Sequence, residues 1–461
     1  MKPFRGSLLA AALTALSSHA FADLAVVQVG AGASALNNSS TAAFVKLFPD
    51  AGGSPTATIA LPTAASGANQ PFTLSGSATS EGFLNVSTNG QYLTLGGYAV
   101  APGVGNVAAA TAALVPRAVA RIALVDNAVD TSTVFTADTS YSTGNIRSVA
   151  STNGTDLWAA GDGSSTTGGV RYTTLGSTTS TIVSSATPAP TLSNARAVNI
   201  FNGQLYASSS SAPTSPSPGA NYRGVIAIGT GLPTAGPQTI TPLLPAADSG
   251  DRSSYDFWFK DASTLYIADD GLAANGGGIQ KWIESAGTWS LAYTLLNSGA
   301  TTTGVRGLSG TVVGGDAVLY ATTTQTSANR LITVTDTGAA ATETTLATAP
   351  MLTAFRGVEF IGGSIEPPTG DADFDGDGDV DGADFLTWQR GLGAGGPTQG
   401  DADGNGTVDA VDLDAWKAQY GPAVAAAGGV PEPTSAALIA LGAVAYLATV
   451  RRGGGFNRLI R

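Results

Sequence analysis

Short runs of alternating apolar and polar residues recur about every fifty positions between residues 23 and 365. Each repeat begins with a strand such as residues 146–149, crosses a turn rich in Asn, Gly or Asp, and continues with a second strand such as residues 157–159. Alternation predicts half-buried β-strands, and an Asn-Gly turn between two of them predicts a hairpin. Two further short strands follow in most repeats, so the pattern predicts four-stranded units of the size of a propeller blade.

One repeat is divided between the two ends of this region. The first-strand pattern recurs at residues 354–358, whereas the strands that would complete it lie at 24–29, 42–48 and 56–61. Pairing of the N- and C-terminal strands would close a ring and remove an exposed sheet edge. The sequence therefore predicts an all-β fold, a six-bladed β-propeller over residues 23–365. Tandem β-sandwiches are the alternative, but they would not explain a divided repeat.

One position of the first strands carries arginine in four repeats. These residues are Arg147, Arg196, Arg306 and Arg356, with Asp256 assigned to the same place in a fifth repeat. First strands line the central channel of a propeller, where guanidinium groups could bind carboxylates or sulfates of an acidic polysaccharide. The alternative is that each arginine pairs with backbone or with an acid of the next blade and so locks the ring.

The amino-acid composition limits the kinds of catalytic and metal site that the chain can form. The chain has no cysteine, and its single histidine, His19, lies in an N-terminal segment that is expected to be removed. This excludes Ser-His-Asp and Cys-His sites and His/Cys zinc sites from the mature chain. Carboxylate catalysis remains, and the candidate acids are Asp126, Asp162, Asp269, Asp270 and Glu359. Each lies near a predicted turn or strand end, where solvated acids are common.

Two acidic segments, residues 373–384 and 401–412, share one twelve-residue pattern. Oxygen-bearing side chains occupy positions 1, 3, 5, 9 and 12, glycine occupies position 6 and valine occupies position 8. Six to eight oxygen ligands around a sharp glycine turn suit Ca²⁺. Each loop leads into a short helix with an aromatic stripe, and Val380 and Val408 are expected to pair between the loops. Carboxylate repulsion should keep the module largely unfolded without the cation.

This duplicated loop-helix pattern resembles the type I dockerin module. The match covers about residues 371–422, within a predicted module at 366–422. The resemblance implies two Ca²⁺ ions and these ligands: Asp373, Asp375, Asp377, Asp381 and Asp384, then Asp401, Asp403, Asn405, Asp409 and Asp412, with the backbone carbonyls of Asp379 and Thr407. Cellulosomal dockerins meet cohesin through a Ser/Thr pair, but residues 382–383 and 410–411 hold no Ser or Thr here. These residues argue against a cohesin partner, whereas docking through the tryptophan-bearing helices stays open.

Both ends of the chain carry patterns typical of sorting signals. Residues 1–22 combine a charged start, an apolar core and an Ala-Phe-Ala cleavage site, which predicts a secretory signal peptide. Residues 423–461 contain an uncharged stretch at 434–450 followed by two arginines, which predicts a transmembrane helix with the rest of the protein outside. The stretch follows Val430, Pro431, Glu432 and Pro433.

This C-terminal tail resembles a PEP-CTERM sorting signal. The resemblance implies recognition by an exosortase at the inner membrane of Gram-negative bacteria that make extracellular polysaccharide. The patterns together predict a non-enzymatic exported protein of the cell surface or exopolysaccharide matrix, with a binding propeller, a calcium-dependent docking module and no nucleic-acid partner. The alternatives are a polysaccharide-degrading hydrolase or lyase with funnel carboxylates, and a cohesin-binding scaffold component.

Overall fold

The computed structural model describes residues 24–184, 192–210, 223–244, 252–271, 276–296, 304–362, 372–377, 379–393, 399–402, 408 and 410–420. The chain divides into two compact units, Met1–Ile365 and Glu366–Arg461. The predicted signal peptide at 1–22 and the tail at 423–461, with its proposed membrane helix at 434–450, lie outside the described residues. No helix among the described residues is long and apolar enough to cross a membrane.

The described part of the first unit consists of β-strands. They are β1 (Leu24–Val29), β2 (Ser40–Phe48), β3 (Ala57–Ala60), β4 (Thr73–Ser75), β5 (Asn85–Val86), β6 (Tyr92–Tyr98), β7 (Arg117–Ala123), β8 (Val129–Val134), β9 (Ile146–Ser151), β10 (Asp156–Gly161), β11 (Gly169–Thr174), β12 (Thr181–Ile182), β13 (Val198–Phe201), β14 (Gln204–Ser210), β15 (Arg223–Ile228), β16 (Ile240–Pro242), β17 (Ser254–Asp261), β18 (Thr264–Asp269), β19 (Gly278–Ser285), β20 (Thr288–Leu295), β21 (Val305–Val313), β22 (Asp316–Thr323), β23 (Arg330–Thr335), β24 (Thr344–Thr348) and β25 (Ala354–Phe360).

Four sheets of four strands each, β9–β12, β13–β16, β17–β20 and β21–β24, follow chain order. Their neighbouring strands pair antiparallel, as the repeated hairpin pattern predicts. The turn between β13 and β14 shows why: Asn202 and Gly203 adopt φ angles of 47° and 71°, which a two-residue hairpin turn requires. The predicted all-β, propeller-like arrangement is confirmed.

The prediction of six separate blades is wrong, because four separate blades are present among the described residues. The other strands form one nine-stranded sheet. Strand β2 is the reason, since its 9 residues leave room for two partners beyond β1. Residues 44–47 pair with β3 and residues 40–42 pair with β4. This double pairing joins strands that the repeat pattern assigned to neighbouring blades.

The predicted pairing of the N- and C-terminal strands is confirmed. Strand β1 lies between β2 and β25, so that Leu24 faces Phe48 on one side and Phe360 on the other. The Phe48 and Phe355 rings meet edge to face at 5.8 Å between their centroids. Both edges of β1 are therefore paired, and the two ends of the domain share one apolar core.

The first strands of the repeats form a closed series. Strands β5, β9, β13, β17, β21 and β25 each contact the next, and β25 contacts β5. Backbone bonds join several neighbours: Phe83 N donates to Arg147 O over 3.0 Å, and Gly357 N donates to Gly82 O over 2.9 Å. Residues of these strands therefore face a common centre.

The second unit contains α1 (Gly382–Gly391) and α2 (Ala410–Gln419). Asp381 caps α1 by accepting Ala383 N at 2.6 Å, and Asp384 accepts Asp381 N at 2.8 Å, which forms a capping box. The aromatic stripes of the two helices contact each other as predicted, with 5.1 Å between the Phe385 and Trp416 rings. Val380 and Val408 are both buried, and their pairing with each other stays a prediction.

Candidate calcium loops and the central arginine ring

The carboxylates of the first acidic loop lie in two groups. Oxygens within 4.8 Å of one another come from Asp373, Asp375 and Asp377 in one group and from Asp379, Asp381 and Asp384 in the other. All five side-chain ligands that the dockerin resemblance implies for this loop are among them. One cation could bind carboxylates from both groups only if the loop changed conformation so that their oxygens surrounded a single point.

Asp384 organises this loop. Its buried carboxylate accepts Phe374 N at 2.7 Å and Asp375 N at 3.1 Å through Oδ1, while Oδ2 accepts Asp381 N. Asp373 Oδ1 accepts the backbone N–H groups of residues 376 and 377, at 2.7 and 3.1 Å. Backbone donors thus shape the loop around its first and last carboxylates, so these two positions have a structural role in addition to any ligand role.

Asp379 could offer a side-chain oxygen as well as its backbone carbonyl. The dockerin resemblance implies the carbonyl as a ligand, and a carboxylate oxygen of Asp379 lies within 4.8 Å of those of Asp381 and Asp384. Its Oδ1 is buried and has no hydrogen-bond partner among the described residues. The Asp377 charge, followed by partial desolvation, raises the pKa of Asp379. A divalent cation would satisfy this oxygen and relieve the repulsion, so the residues fit Ca²⁺.

The second loop is described only in part. Asp412 is buried and accepts Ala402 N at 2.7 Å, which is the bond that Asp384 makes with Phe374 N in the first loop. Asp401 is also buried. Four further predicted ligands lie outside the described residues: Asp403, Asn405, Thr407 and Asp409. The two loops therefore share one hydrogen bond. In each, the carboxylate at position 12 accepts the backbone N–H of position 2 and so closes the loop. The sorting residues 430–433 also lie outside the described residues.

The strand register corrects one position of the arginine pattern. Val149, Val198 and Leu308 face Ala159, Ala207 and Ala321 of their second strands, and each follows an arginine by two positions. In β17 the corresponding residue is Phe257, which faces Ile267. Two positions before it stands Tyr255, so assigning Asp256 to this place was wrong. The same register shift lies between Ser254 and Phe257 in β17 and between Val305 and Leu308 in β21, so Tyr255 and Arg306 hold equivalent places.

Tyr255 lies at the centre of the arginine ring, by which we mean Arg147, Arg196, Arg306, Arg356 and Tyr255. The Cζ atoms of Arg196 and Arg306 lie 4.0 and 5.5 Å from the centroid of the Tyr255 ring. The Phe83 ring, which precedes β5, meets Tyr255 with 6.1 Å between centroids. Because β5 and β17 are not neighbours in the strand series, this contact crosses the centre. Aromatic side chains therefore fill the middle of the channel.

The two buried arginines of the ring bind neighbouring repeats. Arg147 donates to Ala195 O at 2.9 Å and to the Asn194 side chain, and lies 3.7 Å from Asp162. Arg356 donates to Gly76 O at 2.9 Å. These contacts support the locking alternative for Arg147 and Arg356.

Arg196 and Arg306 lie closer to solvent. Arg306 pairs with Asp270 at 3.0 Å and donates to Thr324 O at 2.8 Å, whereas Arg196 donates to the Ser210 hydroxyl. Both guanidinium groups stack on the same tyrosine, so the ring is held partly by cation–π attraction.

The candidate catalytic acids are dispersed. Asp126 is an exposed turn residue, and Asp162 and Asp270 are engaged by arginines of the ring. Asp269 is buried and accepts Ser253 N and Gly271 N at 2.9 and 2.8 Å; burial raises its pKa to about 6. Burial, and then the Asp256 charge, raises the pKa of Glu359 well above its usual range. Sequence reasoning missed Asp256 as a buried acid, since nothing in its spacing distinguishes it from a surface strand residue.

Asp256 makes the stability of the first unit depend on pH. Its carboxylate accepts Phe257 N at 3.0 Å and Leu308 N at 3.2 Å, yet burial outweighs these bonds and raises its pKa to about 8. The unfolded chain loses this proton near pH 4, so the free energy of unfolding should fall as pH rises from about 4 to about 8. Urea melts of Asp256→Asn at pH 5, 7 and 9 are expected to show a smaller decrease than the wild type.

The control for this prediction is Asp316→Asn, which removes an exposed carboxylate at the start of β22. Its pH dependence is expected to match that of the wild type. Glu359 contributes in the same direction, so Asp256→Asn should reduce the slope without abolishing it. An unchanged slope in Asp256→Asn would show that the carboxyl of Asp256 titrates alike in the folded and unfolded states.

No family model matches the chain, and no curated protein matches it. Solved structures that match the chain include a nidogen/laminin complex, with 12% identity, a TM-score of 0.40, and coverage of 73% of this chain and 97% of that one. Citrobacter koseri AztD has 11% identity, a TM-score of 0.30 and coverage of 69% and 70%. Synechocystis apocarotenoid oxygenase has 11% identity, a TM-score of 0.32 and coverage of 70% and 70%. At this distance no activity is carried over.

Proposed function

We propose that this chain is a non-enzymatic exported protein of the cell surface or exopolysaccharide matrix. Its propeller-like first unit is the binding or adhesion domain, and its dockerin-like second unit is a docking module folded by two Ca²⁺ ions. Its C-terminal tail is the substrate of an exosortase and anchors the chain in the inner membrane before processing. The proposal assigns the cations a folding role and no catalytic one.

The observation that carries this proposal is the geometry of the first acidic loop. Six carboxylates gather on one short segment, and the buried Asp379 Oδ1 has no hydrogen-bond partner in the described part of this unit. The matching bonds of Asp384 and Asp412 to the second residue of their loops support a duplicated module. Bound Ca²⁺ would supply the positive charge that offsets the repulsion between the carboxylates. The residues that would hold it in the first loop are Asp373, Asp375, Asp377, Asp381 and Asp384, together with Asp379.

The binding role of the first unit is supported by what fills its centre. Phe83 and Tyr255 meet across the middle, and arginines surround them. A hydrolytic funnel would instead need two carboxyl groups on either side of an open cleft, about 5 to 9.5 Å apart. The direct test is incubation of the purified chain with plant and algal polysaccharides. We expect no new reducing ends, and their release would replace this proposal with the enzymatic alternative.

Sorting is tested by changing Glu432. In a Gram-negative host that carries an exosortase, we expect the wild-type chain to lose its tail and reach the cell surface or medium. Glu432→Ala is expected to accumulate as a larger, membrane-associated form, because the carboxylate between two prolines is the proposed recognition element. Fractionation and immunoblotting distinguish the two forms.

Glu366→Ala is the matched control for this experiment. Glu366 is also followed by proline, but it lies far from the tail in sequence. Its variant should be processed like the wild type. Equal processing of all three chains would show that the Val430–Pro433 segment is not a sorting signal.

A further inference from the structure

We propose that the solvent-facing side of the arginine ring binds an oxyanion, a carboxylate or sulfate carried on an acidic sugar. Arg196 and Arg306 would hold it beside Tyr255, with Arg147 and Arg356 behind them. This site would give the ligand class of the binding domain, so it rests on the proposed binding function of the first unit. It does not involve the second unit.

The two partly buried arginines have donors that make no hydrogen bond with the described residues. Within the described residues, Arg196 uses only Nε, which leaves both Nη groups available. Arg306 uses Nε and Nη1, so its Nη2 is available. The Tyr255 hydroxyl makes no hydrogen bond with a described residue. A planar oxyanion accepts paired N–H groups of this kind in bidentate fashion.

Two buried arginines of the ring have donors that the described residues leave unsatisfied. Arg356 is 4% exposed and, among the described residues, donates only to Gly76 O and has no partner for its buried Nε. The buried Nε of Arg147 likewise has no partner in the described part of the chain. Leaving such donors unpaired costs free energy. Unpaired buried donors are common at ligand-binding sites, because a bound anion would reduce their free-energy cost.

Acids pair with only two of the four ring arginines among the described residues. Arg147 and Arg306 have acid partners, Asp162 and Asp270, but Arg196 and Arg356 form no ion pair within the described residues. Glu81 lies near Arg356, but burial raises the pKa of its carboxyl, which is bound by Tyr98 and Asn145. The ring therefore carries excess positive charge, which an anionic ligand would offset.

The guanidinium groups are close enough to affect one another. Burial, and then the charge of Arg196, lowers the pKa of Arg147 to about 10. Burial, and then the charge of Arg306, lowers the pKa of Arg356 to about 10. Like charges held together in this way attract an anion more strongly than any one of them alone.

The ring is also within reach of solvent. The side chains of Arg306 and Asp270 retain 16% and 15% of their exposure, and that of Asp162 retains 37%. Arg196 is likewise only partly buried. A sugar carboxylate could therefore meet Arg196 and Arg306 from outside without displacing the buried Phe83 and Tyr255 rings.

The test is calorimetric titration of the full chain with four probes. Trigalacturonate is compared with its methyl ester, which keeps the sugars and removes the charge. A galactose 6-sulfate oligosaccharide is compared with its desulfated form. We expect one or both acidic probes to bind and the neutral counterparts not to bind. Binding of only one acidic probe identifies whether the ligand carries carboxylate or sulfate.

Arg196→Gln and Arg306→Gln are expected to weaken this binding by about tenfold or more, because each removes a charged donor. The matched control is Arg121→Gln. Arg121 also pairs with an acid, Asp130 at 3.4 Å, and stacks on a tyrosine, Tyr92 at 4.7 Å, but lies on β7 outside the ring. It should bind like the wild type. If Arg306→Gln fails to fold, Arg306→Lys keeps the charge and should still lose affinity through the lost bidentate contact.

Three results would overturn the inference: no binding of either acidic probe, equal binding of the neutral probes, or equal loss in Arg121→Gln. The last would show general electrostatic attraction. These results are independent of calcium binding and of tail processing. A chain that shows both but binds no acidic probe would keep the proposed function and lose only this site.

Discussion

Chelation of calcium is expected to unfold the second unit while the first unit stays folded. The first loop brings six carboxylates together on a unit whose described apolar core comprises only Ala372, Phe374, Val380, Ala402 and Ala415, with Trp388 and Trp416 packed against it. So small a core offsets little of the repulsion between the carboxylates. The first unit has large hydrophobic cores of its own, so its folding should not depend on a cation. Near-ultraviolet circular dichroism of the full chain with and without EGTA should therefore show a change dominated by Trp388 and Trp416.

The stoichiometry and identity of the cation can be measured on the same chain. Calorimetry is expected to show two sites for Ca²⁺, and Mg²⁺ should substitute poorly because it demands near-octahedral geometry. Asp375→Asn is expected to lower the affinity of the first loop by on the order of tenfold or more, since it weakens a ligand with little structural role. Asp375 accepts only the long 3.3 Å bond from Asp377 N among the described residues.

Asp316→Asn is the control for these measurements, because it removes the same charge from the first unit. It should bind calcium like the wild type. Asp379→Asn then decides whether that side chain or only its carbonyl is a ligand. The calcium proposal would be abandoned if the full chain shows no heat of binding and no change with EGTA.

Phe355→Ala is expected to destabilise the first unit by about 3–5 kcal/mol. Phe355 is 2% exposed on β25 and packs edge to face on Phe48 of β2. The substitution opens a cavity where the two ends of the domain meet, so the loss should appear as a lower urea midpoint of the first unit. A double-mutant cycle with Phe48→Ala should give a coupling of about 0.5–1.5 kcal/mol.

Met351→Ala serves as the matched control. It truncates a large apolar side chain a few residues earlier, but Met351 is 80% exposed. Its effect should lie within about 0.5 kcal/mol. A loss below about 1 kcal/mol in Phe355→Ala would mean that the contact between the terminal strands does not hold the domain closed.

Much of the fold was predictable because its signals are local. Hairpins depend on alternation and on turn residues such as Asn202 and Gly203, whose positive φ angles need no distant partner. The divided repeat at residues 354–358 likewise predicted the pairing of β1 with β25. The proposed calcium loops are local too, since twelve consecutive residues would supply every side-chain ligand of each loop.

The rest was not predictable from spacing. Strand β2 extends far enough to pair with both β3 and β4, and no residue pattern in β2 announces the second partner. In β17 the residue at the place of the arginines is Tyr255, and the pairing of Phe257 with Ile267 identifies it. Which residues pair across two strands depends on how neighbouring strands pack.

The sequence by itself determined the strand repeats, the duplicated acidic loops and the patterns at both ends, because each depends on residues close together in the chain. It also predicted the closure of the first unit, because one repeat is divided between the two ends of that unit. Only the tertiary structure decided that two predicted blades share one sheet, that Phe83 and Tyr255 fill the centre, and which arginine donors make no hydrogen bond with a described residue. Phe83 and Tyr255 are more than a hundred positions apart in the chain. Their contacts arise from side-chain volume and charge at the centre, which spacing along the chain does not encode.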